Sequence, residues 1–518
     1  MPPVKKLNTL RDMSMERVWR WLFQCVRCPL ASGNHRIPLR KYLLSSLCPL
    51  LRQRLLTLIF NVKRSKLFID TKCKLLQVLG DDTTHYVDFT QGGSAFIEEM
   101  MHFYNALNVA SLFNLTRLGA ICDVRHKTDQ RYISTINKTF YLSLEKMRNL
   151  RWLTLGGICD TIVMKILGTN CRHLQHLDIS DSLTVNDEGV AALVLSNSQA
   201  LQGLNPQEIG RQTLPLNPCC STLSFVCVSG TQVGGIGAAL LLHCLPGLTS
   251  LGSYPITCSL TRVIELLQPE EGLRQFKLNK MWDADILPHQ ATLLSIACPD
   301  VTAIFTHEAS LPSLHFLFPF EYLSVDIDFK YSVNSLYNYL VIRGETLKQL
   351  ILVDSINCPL DLTWLVELTP NLERIEATLE VKHMAVTQNW NVLSVATVTV
   401  DSSITIINLL TRTPNLRSLE LTFLESMGNE ETYRCINDEL LLRILTAGGL
   451  KKVEKLKISQ CMISTYGLDC LLQYCPDLQY LAPLVCWPNI TRYEVDKLLA
   501  KTAENNWLLR IVMRTDWE

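Results

Sequence analysis

The segment Leu150-Arg-Trp-Leu153-Thr-Leu155 returns in pattern 24 residues later as Leu174-Gln-His-Leu177-Asp-Ile179. Each copy places apolar residues at positions x, x+3 and x+5, which is typical of a short strand with one buried face. Val185-Asn-Asp-Glu-Gly189-Val190 and Leu193 follow the second copy and complete the turn with a helix. A strand, a loop and a helix of this length cannot bury their apolar side alone, so neighbouring copies must stack to form a core.

This spacing is that of a leucine-rich repeat. Further copies begin at Leu223, Leu248, Leu273, Val301, Phe320, Leu347, Leu372, Leu393, Leu416, Val453 and Leu478. Most steps are 23 to 28 residues, which leaves room for a helix in each turn. The sequence therefore predicts an α/β leucine-rich-repeat solenoid, a ribonuclease-inhibitor-like horseshoe with a parallel inner sheet and outer helices. Two gaps exceed one period: residues 206–220, expected to be a loop or a degraded turn, and residues 425–438, expected to project.

Some turns share finer detail. Gly189, Gly237 and Gly467 are each followed four residues later by leucine, and a cysteine recurs before the next strand. This cysteine occupies positions 171, 244, 298 and 475. The pattern resembles the cysteine-containing subclass of leucine-rich repeats, which implies that these thiols pack in the core.

Composition excludes several classes of protein. The chain has 49 basic and 49 acidic residues, so it lacks the basic excess expected of a nucleic-acid-binding protein. No signal peptide and no convincing membrane span is apparent. We expect a cytoplasmic or nuclear protein in which the 19 cysteines are reduced thiols.

No catalytic constellation is found in the sequence. The Gly-x-Ser-x-Gly, His-Glu-x-x-His and protein-kinase signatures are all missing. Cys25, Cys28 and His35 could supply half of a zinc site, but a second ligand pair at suitable spacing is lacking. We expect a protein that is not an enzyme and that uses neither a metal nor a cofactor.

The first residues differ from the repeats. Residues 1–80 are predicted to form a helical module of about three helices, residues 81–145 irregular first repeats, and residues 146–518 the regular solenoid. Thr9-Leu10-Arg-Asp-Met-Ser14-Met-Glu-Arg-Val18 resembles the elongin-C-binding box of VHL-box receptors, in which cysteine usually stands where Ser14 stands here. The resemblance implies that Thr9, Leu10, Ser14 and Val18 contact an adaptor.

A second stretch of the same module has two possible interpretations. Ile37-Pro38 followed by Leu43 is similar to a cullin-selecting box, although Lys41 stands where an aliphatic residue is expected. It is equally similar to the start of an F-box. Either resemblance makes Ile37, Pro38 and Leu43 contact residues for a cullin or an adaptor. The structural alternative is a helical cap that covers the first repeat.

Together these features resemble the leucine-rich-repeat substrate receptors of cullin–RING ubiquitin ligases. The resemblance implies a non-catalytic subunit that binds a protein substrate on its repeats and elongin C, or the F-box adaptor, through its N-terminal helices. The alternative is a stand-alone scaffold for protein–protein interaction that is unrelated to ubiquitin.

Substrate contacts are expected on the solvent face of the sheet. Side chains alternate along a strand, so the residues between the buried positions point out of the sheet. Exposed aromatic residues and arginine contribute most to protein binding. The candidates on this basis are Trp152, Phe225, Phe305, Tyr322 and Arg374.

Overall fold

A computed structural model describes most of the chain. The described residues are 2–3, 10–27, 33–61, 68–90, 94–124, 127–197, 205–252, 257–317, 319–327, 334–382, 388–424, 436–459 and 461–512. They form two compact units. The N-terminal unit comprises Asn8–Asp283 and His289–Val301, and the C-terminal unit comprises Met1–Leu7, Ala284–Pro288 and Thr302–Glu518.

The N-terminal unit begins with four helices, where the sequence predicts about three. The helices that begin within it are α1 (Leu10–Arg27), α2 (Gly33–Ser46), α3 (Pro49–Asn61), α4 (Ile69–Leu79), α5 (Ile97–Ala110), α6 (Lys127–Leu144), α7 (Thr161–Asn170), α8 (Asp187–Val194), α9 (Pro206–Arg211), α10 (Gly235–Cys244) and α11 (Leu260–Leu266). Helix α12 (Pro288–Ala297) follows them.

Its strands are parallel and lie side by side in chain order. They are β1 (Tyr86–Asp88), β2 (Arg117–Ile121), β3 (Trp152–Gly156), β4 (His176–Asp178) and β5 (Phe225–Cys227). Parallel bridges from Phe225 to Ser250 and from Ser250 to Lys280 continue the pairing to β6 (Lys280–Asp283). One strand per turn, each followed by helix, is the leucine-rich-repeat fold predicted from the spacing.

The C-terminal unit repeats the same architecture. Its strands are β7 (Ala303–His307), β8 (Tyr322–Asp326), β9 (Gln349–Val353), β10 (Leu360–Asp361), β11 (Arg374–Glu380), β12 (Val395–Val400), β13 (Ser418–Phe423), β14 (Lys455–Ile458), β15 (Tyr480–Ala482) and β16 (Arg510–Ile511). They pair in parallel in chain order, except that β11 follows β9 directly and the short β10 pairs with the end of β11. Its helices are α13 (Leu311–Leu314), α14 (Asn334–Arg343), α15 (Leu362–Leu368), α16 (Ser403–Arg412), α17 (Asp438–Thr446), α18 (Thr465–Tyr474) and α19 (Arg492–Glu504).

One repeat lies in a different frame from the prediction. The x, x+3, x+5 pattern that begins at Leu273 fits the sequence, but Leu273 is 41% exposed and the strand of this turn is β6. The buried frame starts five residues later, with Leu278 and Met281 in the core. The frame from Leu273 has apolar residues at all three positions, whereas the frame from Leu278 ends at Asp283, so the spacing favoured the wrong frame.

Both expected insertions contain repeat structure. Residues Pro206–Arg211 form α9, which Asn205 caps through its Oδ1 atom and the Glu208 N–H at 3.0 Å. In the second segment, Ile436 is buried and Asn437 caps α17. Residues 425–435 lie outside the described part of the chain, so the structure corrects the prediction only for 436–438.

Successive turns are joined through carboxylates at helix starts. Asn186 caps α8, and the next residue, Asp187, accepts hydrogen bonds from Gly234 N at 2.6 Å and Gly237 N at 3.0 Å at the start of α10. The same arrangement recurs where Asp438 accepts from Ser464 N at 2.8 Å at the start of α18. Each Asp therefore accepts hydrogen bonds from main-chain N–H groups at the start of α10 or α18, which have no acceptor within their own helix.

This contact explains the repeated glycine and gives a stability prediction. A Cβ atom at Gly237 would lie 2.6 Å from Asp187 Oδ1 and 2.7 Å from Val233 Cγ1. We expect Gly237→Ala to lower the free energy of unfolding by about 1–3 kcal/mol, because the added methyl group overpacks the turn. Urea denaturation measures it. Gly235→Ala in the same helix is the control, because its nearest neighbour lies 3.7 Å away, and losses of equal size in both variants would contradict the explanation.

The helix-ending cysteines are in the core, as predicted. Cys171, Cys244, Cys298 and Cys475 are at most 1% exposed and all are free thiols. Burial raises the pKa of each of these thiols to about 12. They are therefore neutral packing residues at physiological pH.

Replacing one of these thiols should cost stability without changing the surface. We expect Cys298→Ser to lower the free energy of unfolding by about 1–3 kcal/mol, because a hydroxyl group is more costly to bury than a thiol. The exposed Cys48 provides the control, Cys48→Ser, whose melting temperature should match that of the wild type. A Cys298→Ser protein as stable as this control would argue against a core role.

Candidate functional site

Parallel register aligns five side chains across the solvent face of the N-terminal sheet. Tyr86, Arg117, Trp152, His176 and Phe225 occupy equivalent positions of β1 to β5. We call these five residues the aromatic ladder. Trp152 is 39% exposed and the other four are half-buried. The ladder is a continuous surface to which each strand contributes one side chain.

Neighbouring members of the ladder are in direct contact. The Arg117 guanidinium carbon lies 5.3 Å from the Tyr86 ring centroid and 4.8 Å from that of Trp152. The Trp152 and His176 centroids are 3.7 Å apart with the planes at 14°, and those of His176 and Phe225 are 4.1 Å apart at 4°. Cation–π attraction and ring stacking thus stabilise the row and restrict its rotamers.

A buried carboxylate anchors the start of the ladder. Asp88 Oδ2 lies 3.0 Å from Arg117 Nη2 and accepts a hydrogen bond from the Tyr86 hydroxyl at 3.3 Å, and its side chain is only 2% exposed. Gly119 is required beside it, because a Cβ there would lie 2.6 Å from Asp88 Oδ1. The guanidinium is therefore held in place between the two rings before any partner arrives.

His176 is a neutral member of the stack at physiological pH. Burial between the flanking rings lowers the pKa of His176 to about 4. The Asp178 carboxylate acts in the opposite direction, and the positive charge of Arg117 lowers the pKa further. A neutral imidazole stacks on Trp152 and Phe225 without burying a charge.

The five predicted substrate contacts fall into two sets. In the N-terminal unit, Trp152 and Phe225 both belong to the ladder and are joined by His176. In the C-terminal unit, the ring centroids of Phe305 and Tyr322 are 5.3 Å apart, and Arg374 Nη2 lies 3.7 Å from Glu376. All of these side chains are partly exposed, in agreement with the alternation used to select them.

Tyr86, Arg117 and His176 are not among the candidates taken from the sequence. The alternation along β4 puts His176 on the solvent face, but the sequence does not show that its ring joins Trp152 to Phe225. Tyr86 and Arg117 lie in the irregular first turns. The signal was present there as Tyr86-Val-Asp88 and Arg117-Leu-Gly119, each with an apolar residue between two outward positions.

The predicted elongin-C-type box lies on α1. Ser14 is exposed and Val18 is half-buried, whereas Leu22 and Val26 further along the helix are buried. Thr9 and the side chain of Leu10 lie outside the described residues. The described box residues thus stand on the part of α1 that reaches solvent.

The second adaptor stretch is corrected at one residue. Ile37 is 70% exposed, and Pro38, inside α2, is also exposed. Leu43, however, is 3% exposed and is a core residue of the helical module, so it is not available to a partner.

The described residues contain no group of three or more His, Cys, Asp or Glu side chains placed to hold a metal ion. Within the same part of the chain, no helix combines the length and the apolar character required to cross a membrane.

Known proteins resemble this chain in fold rather than in sequence. No family model and no curated protein sequence matches it. A chain from the yeast Rad7–Elc1 complex aligns over 94% of this chain and 92% of its own, at 12% identity and a TM-score of 0.36. A chain from the mouse RP105–MD-1 complex aligns over 87% of this chain and 89% of its own, at 12% identity and a TM-score of 0.30.

The depressed pKa of His176 predicts a pH dependence of stability. An unfolded histidine binds a proton near pH 6.5, but folded His176 binds one only near pH 4. Its contribution to stability is therefore complete above pH 6.5 and is lost as the pH falls towards 4. We expect His176→Phe to reduce the fall in unfolding free energy across this window, as measured by urea denaturation at several pH values.

The control for this measurement is His173→Phe, because His173 is exposed in the loop that precedes the same strand. Its curve should follow that of the wild type. If His176→Phe and the wild type lost stability equally between pH 6.5 and 4, the account of a neutral stacked imidazole would be wrong.

Proposed function

We propose that the protein is a non-catalytic substrate-recognition subunit of a cullin–RING ubiquitin ligase. The aromatic ladder would bind the target protein, and helix α1 would bind an adaptor of the elongin C type. Ubiquitin transfer would be performed by other subunits, and this chain would raise its rate by holding the target close. The complex would act in the cytoplasm or the nucleus.

The observation that carries the adaptor proposal is the division of α1 into two faces. Met13 is 56% exposed and Trp21 48% exposed, and Ser14 and Arg17 are exposed beside them. At 100° per residue these four positions share one side of the helix. The opposite side packs onto α3 and α4 through Leu22 and Val26. A helix held on one side and open on the other is suited to enter the groove of a partner.

The ladder supports the proposal of a protein target. Tryptophan, tyrosine and arginine are the residue types that contribute most to protein–protein affinity, and the ladder holds one of each in fixed rotamers. Fixed side chains lose less conformational entropy on binding than mobile ones, which favours affinity.

The second candidate is a stand-alone scaffold, which one observation favours. Gln53 of α3 binds the open edge of β1: its Oε1 accepts from His85 N at 3.0 Å and Tyr86 N at 3.2 Å, and its Nε2 donates to Tyr86 O at 2.8 Å. The helical module therefore already acts as a cap for the first repeat. A cap needs no adaptor, so capping alone could account for these helices.

Binding of purified elongin C to matched variants distinguishes the two candidates. We expect wild-type protein to bind, and Ser14→Arg to weaken binding at least tenfold, because a bulky charge would be placed in the contact. A tenfold change corresponds to about 1.4 kcal/mol. Ser14→Cys, which restores the usual residue of the box, should bind more tightly.

Ser45→Arg is the control, since Ser45 is exposed on α2 and the substitution adds the same charge. Ile37→Asp tests the other adaptor interpretation. If the wild type bound the F-box adaptor and Ile37→Asp did not, the F-box adaptor would take the place of elongin C in the proposal. If the wild type bound neither adaptor, the stand-alone scaffold would be the better account.

A further inference from the structure

The ladder is bordered on one side by basic residues. All strands of the sheet are parallel, so the loops that lead into them share one edge. The loops before β3 and β4 carry the exposed residues Lys146, Arg148, Arg151 and Arg172, which we call the entry edge. Glu145 is the one exposed acidic residue in described segments 145–151 and 171–175. The entry edge is therefore positively charged at β3 and β4, whereas the loop before β1 carries the exposed Asp82.

The opposite side of the ladder is acidic. Asp178 at the end of β4, together with Asp123 and Asp181 in the segments that follow β2 and β4, forms what we call the exit edge, and Asp181 is exposed. Every charged side chain in the described exit segments 122–124, 156–160 and 178–186 is acidic. A row of rings thus lies between a positive and a negative border.

The dimensions of this surface match those of a helix. The ladder spans four strand spacings of about 4.8 Å, or about 19 Å, which is the length of about 13 helical residues. The strands between the two edges are three to five residues long, or about 10–16 Å. A helix is about 10–12 Å wide with its side chains, whereas one extended strand is too narrow to reach both edges.

We propose that the aromatic ladder binds an amphipathic helix of about 13 residues from the partner protein. Its apolar stripe would contact the rings, its acidic flank would face the entry edge, and its basic flank would face the exit edge. The proposal rests on the proposed function in that the ladder is the protein-binding face, but it requires neither ubiquitin nor an adaptor.

Three synthetic helical peptides test the charge arrangement. They share one apolar stripe and one length, and differ in having one Glu and one Lys flank, two Glu flanks or two Lys flanks. We expect the mixed peptide to bind at least ten times more tightly than either of the others, as measured by fluorescence anisotropy at low salt. Equal binding by all three, or binding by none, would overturn the proposal.

A reversal of one edge should change the preferred peptide. Arg151→Glu with Arg172→Glu changes the net charge of segments 145–151 and 171–175 from +3 to −1, because Lys146 and Arg148 remain beside Glu145. Preference should therefore pass from the mixed peptide towards the peptide with two Lys flanks. The control, Lys138→Glu with Lys165→Glu, makes the same charge change at exposed positions of α6 and α7 and should leave the preference unchanged. An unchanged preference after the edge reversal would refute the assigned orientation.

Two further measurements complete the test. A mixed peptide interrupted by proline cannot form the helix, and if it bound as tightly as the intact one, a helical ligand would be excluded. Trp152→Ala with Phe225→Ala should abolish binding of the mixed peptide while binding of elongin C to α1 is retained. If the wild type bound the mixed peptide but not elongin C, only the adaptor role would be refuted. If it bound elongin C but not the mixed peptide, only the helix proposal would be refuted.

Discussion

The parallel register between successive strands determines both the core and the candidate binding face. It places Leu153 beside Leu177, and Leu177 beside Val226, in the interior, where all three are fully buried. On the other face, the same register places the rings of Trp152, His176 and Phe225 beside one another. Strands lie about 4.8 Å apart, which is close to the distance at which aromatic rings stack. A slip of one residue would turn Leu153 to solvent and Trp152 into the core, so the ladder can exist only where the core register is correct.

The sequence predicted the fold because the repeat imposes a spacing that few other folds share. It placed most strands correctly, but it placed the turn after Leu248 in the wrong frame, because Leu273, Phe276 and Leu278 complete the apolar pattern, whereas the frame that begins at Leu278 has Asp283 at its third position. Only packing against neighbouring turns selects Leu278. For the candidate site, alternation along the strand identified Trp152 and Phe225. The contribution of Arg117 could not be predicted, because it depends on Asp88 of the neighbouring strand β1, which approaches Arg117 and Gly119 of β2 only in the folded sheet.

Charged residues in the C-terminal strands, or directly before them, form ion pairs between neighbouring turns. Lys348 Nζ lies 2.7 Å from Glu321 Oε1, Arg417 Nη1 lies 3.5 Å from Glu454 Oε1, and Lys457 is paired with Glu420. Exposed pairs of this kind add only about 0–1 kcal/mol to stability. A ligand that used these charges would first have to separate them. The aromatic ladder offers apolar ring edges without that cost, which makes the N-terminal sheet the better binding face of the two.

The helical module and the ladder are parts of one continuous structure within the N-terminal unit. Gln53 of α3 binds the main chain of Tyr86, the first member of the ladder, and Arg52 beside it binds Asp81 Oδ2 at 2.5 Å and Thr83 Oγ1 at 3.1 Å. Arg52 is itself 4% exposed, whereas Asp81 is partly exposed and Thr83 is exposed, so the guanidinium end of these contacts is sheltered from water. Capping and adaptor binding need not compete, because the cap uses α3 whereas the open face belongs to α1. A rigid connection of this kind would hold a partner on α1 at a fixed distance from a partner on the ladder, as a subunit that acts by positioning requires.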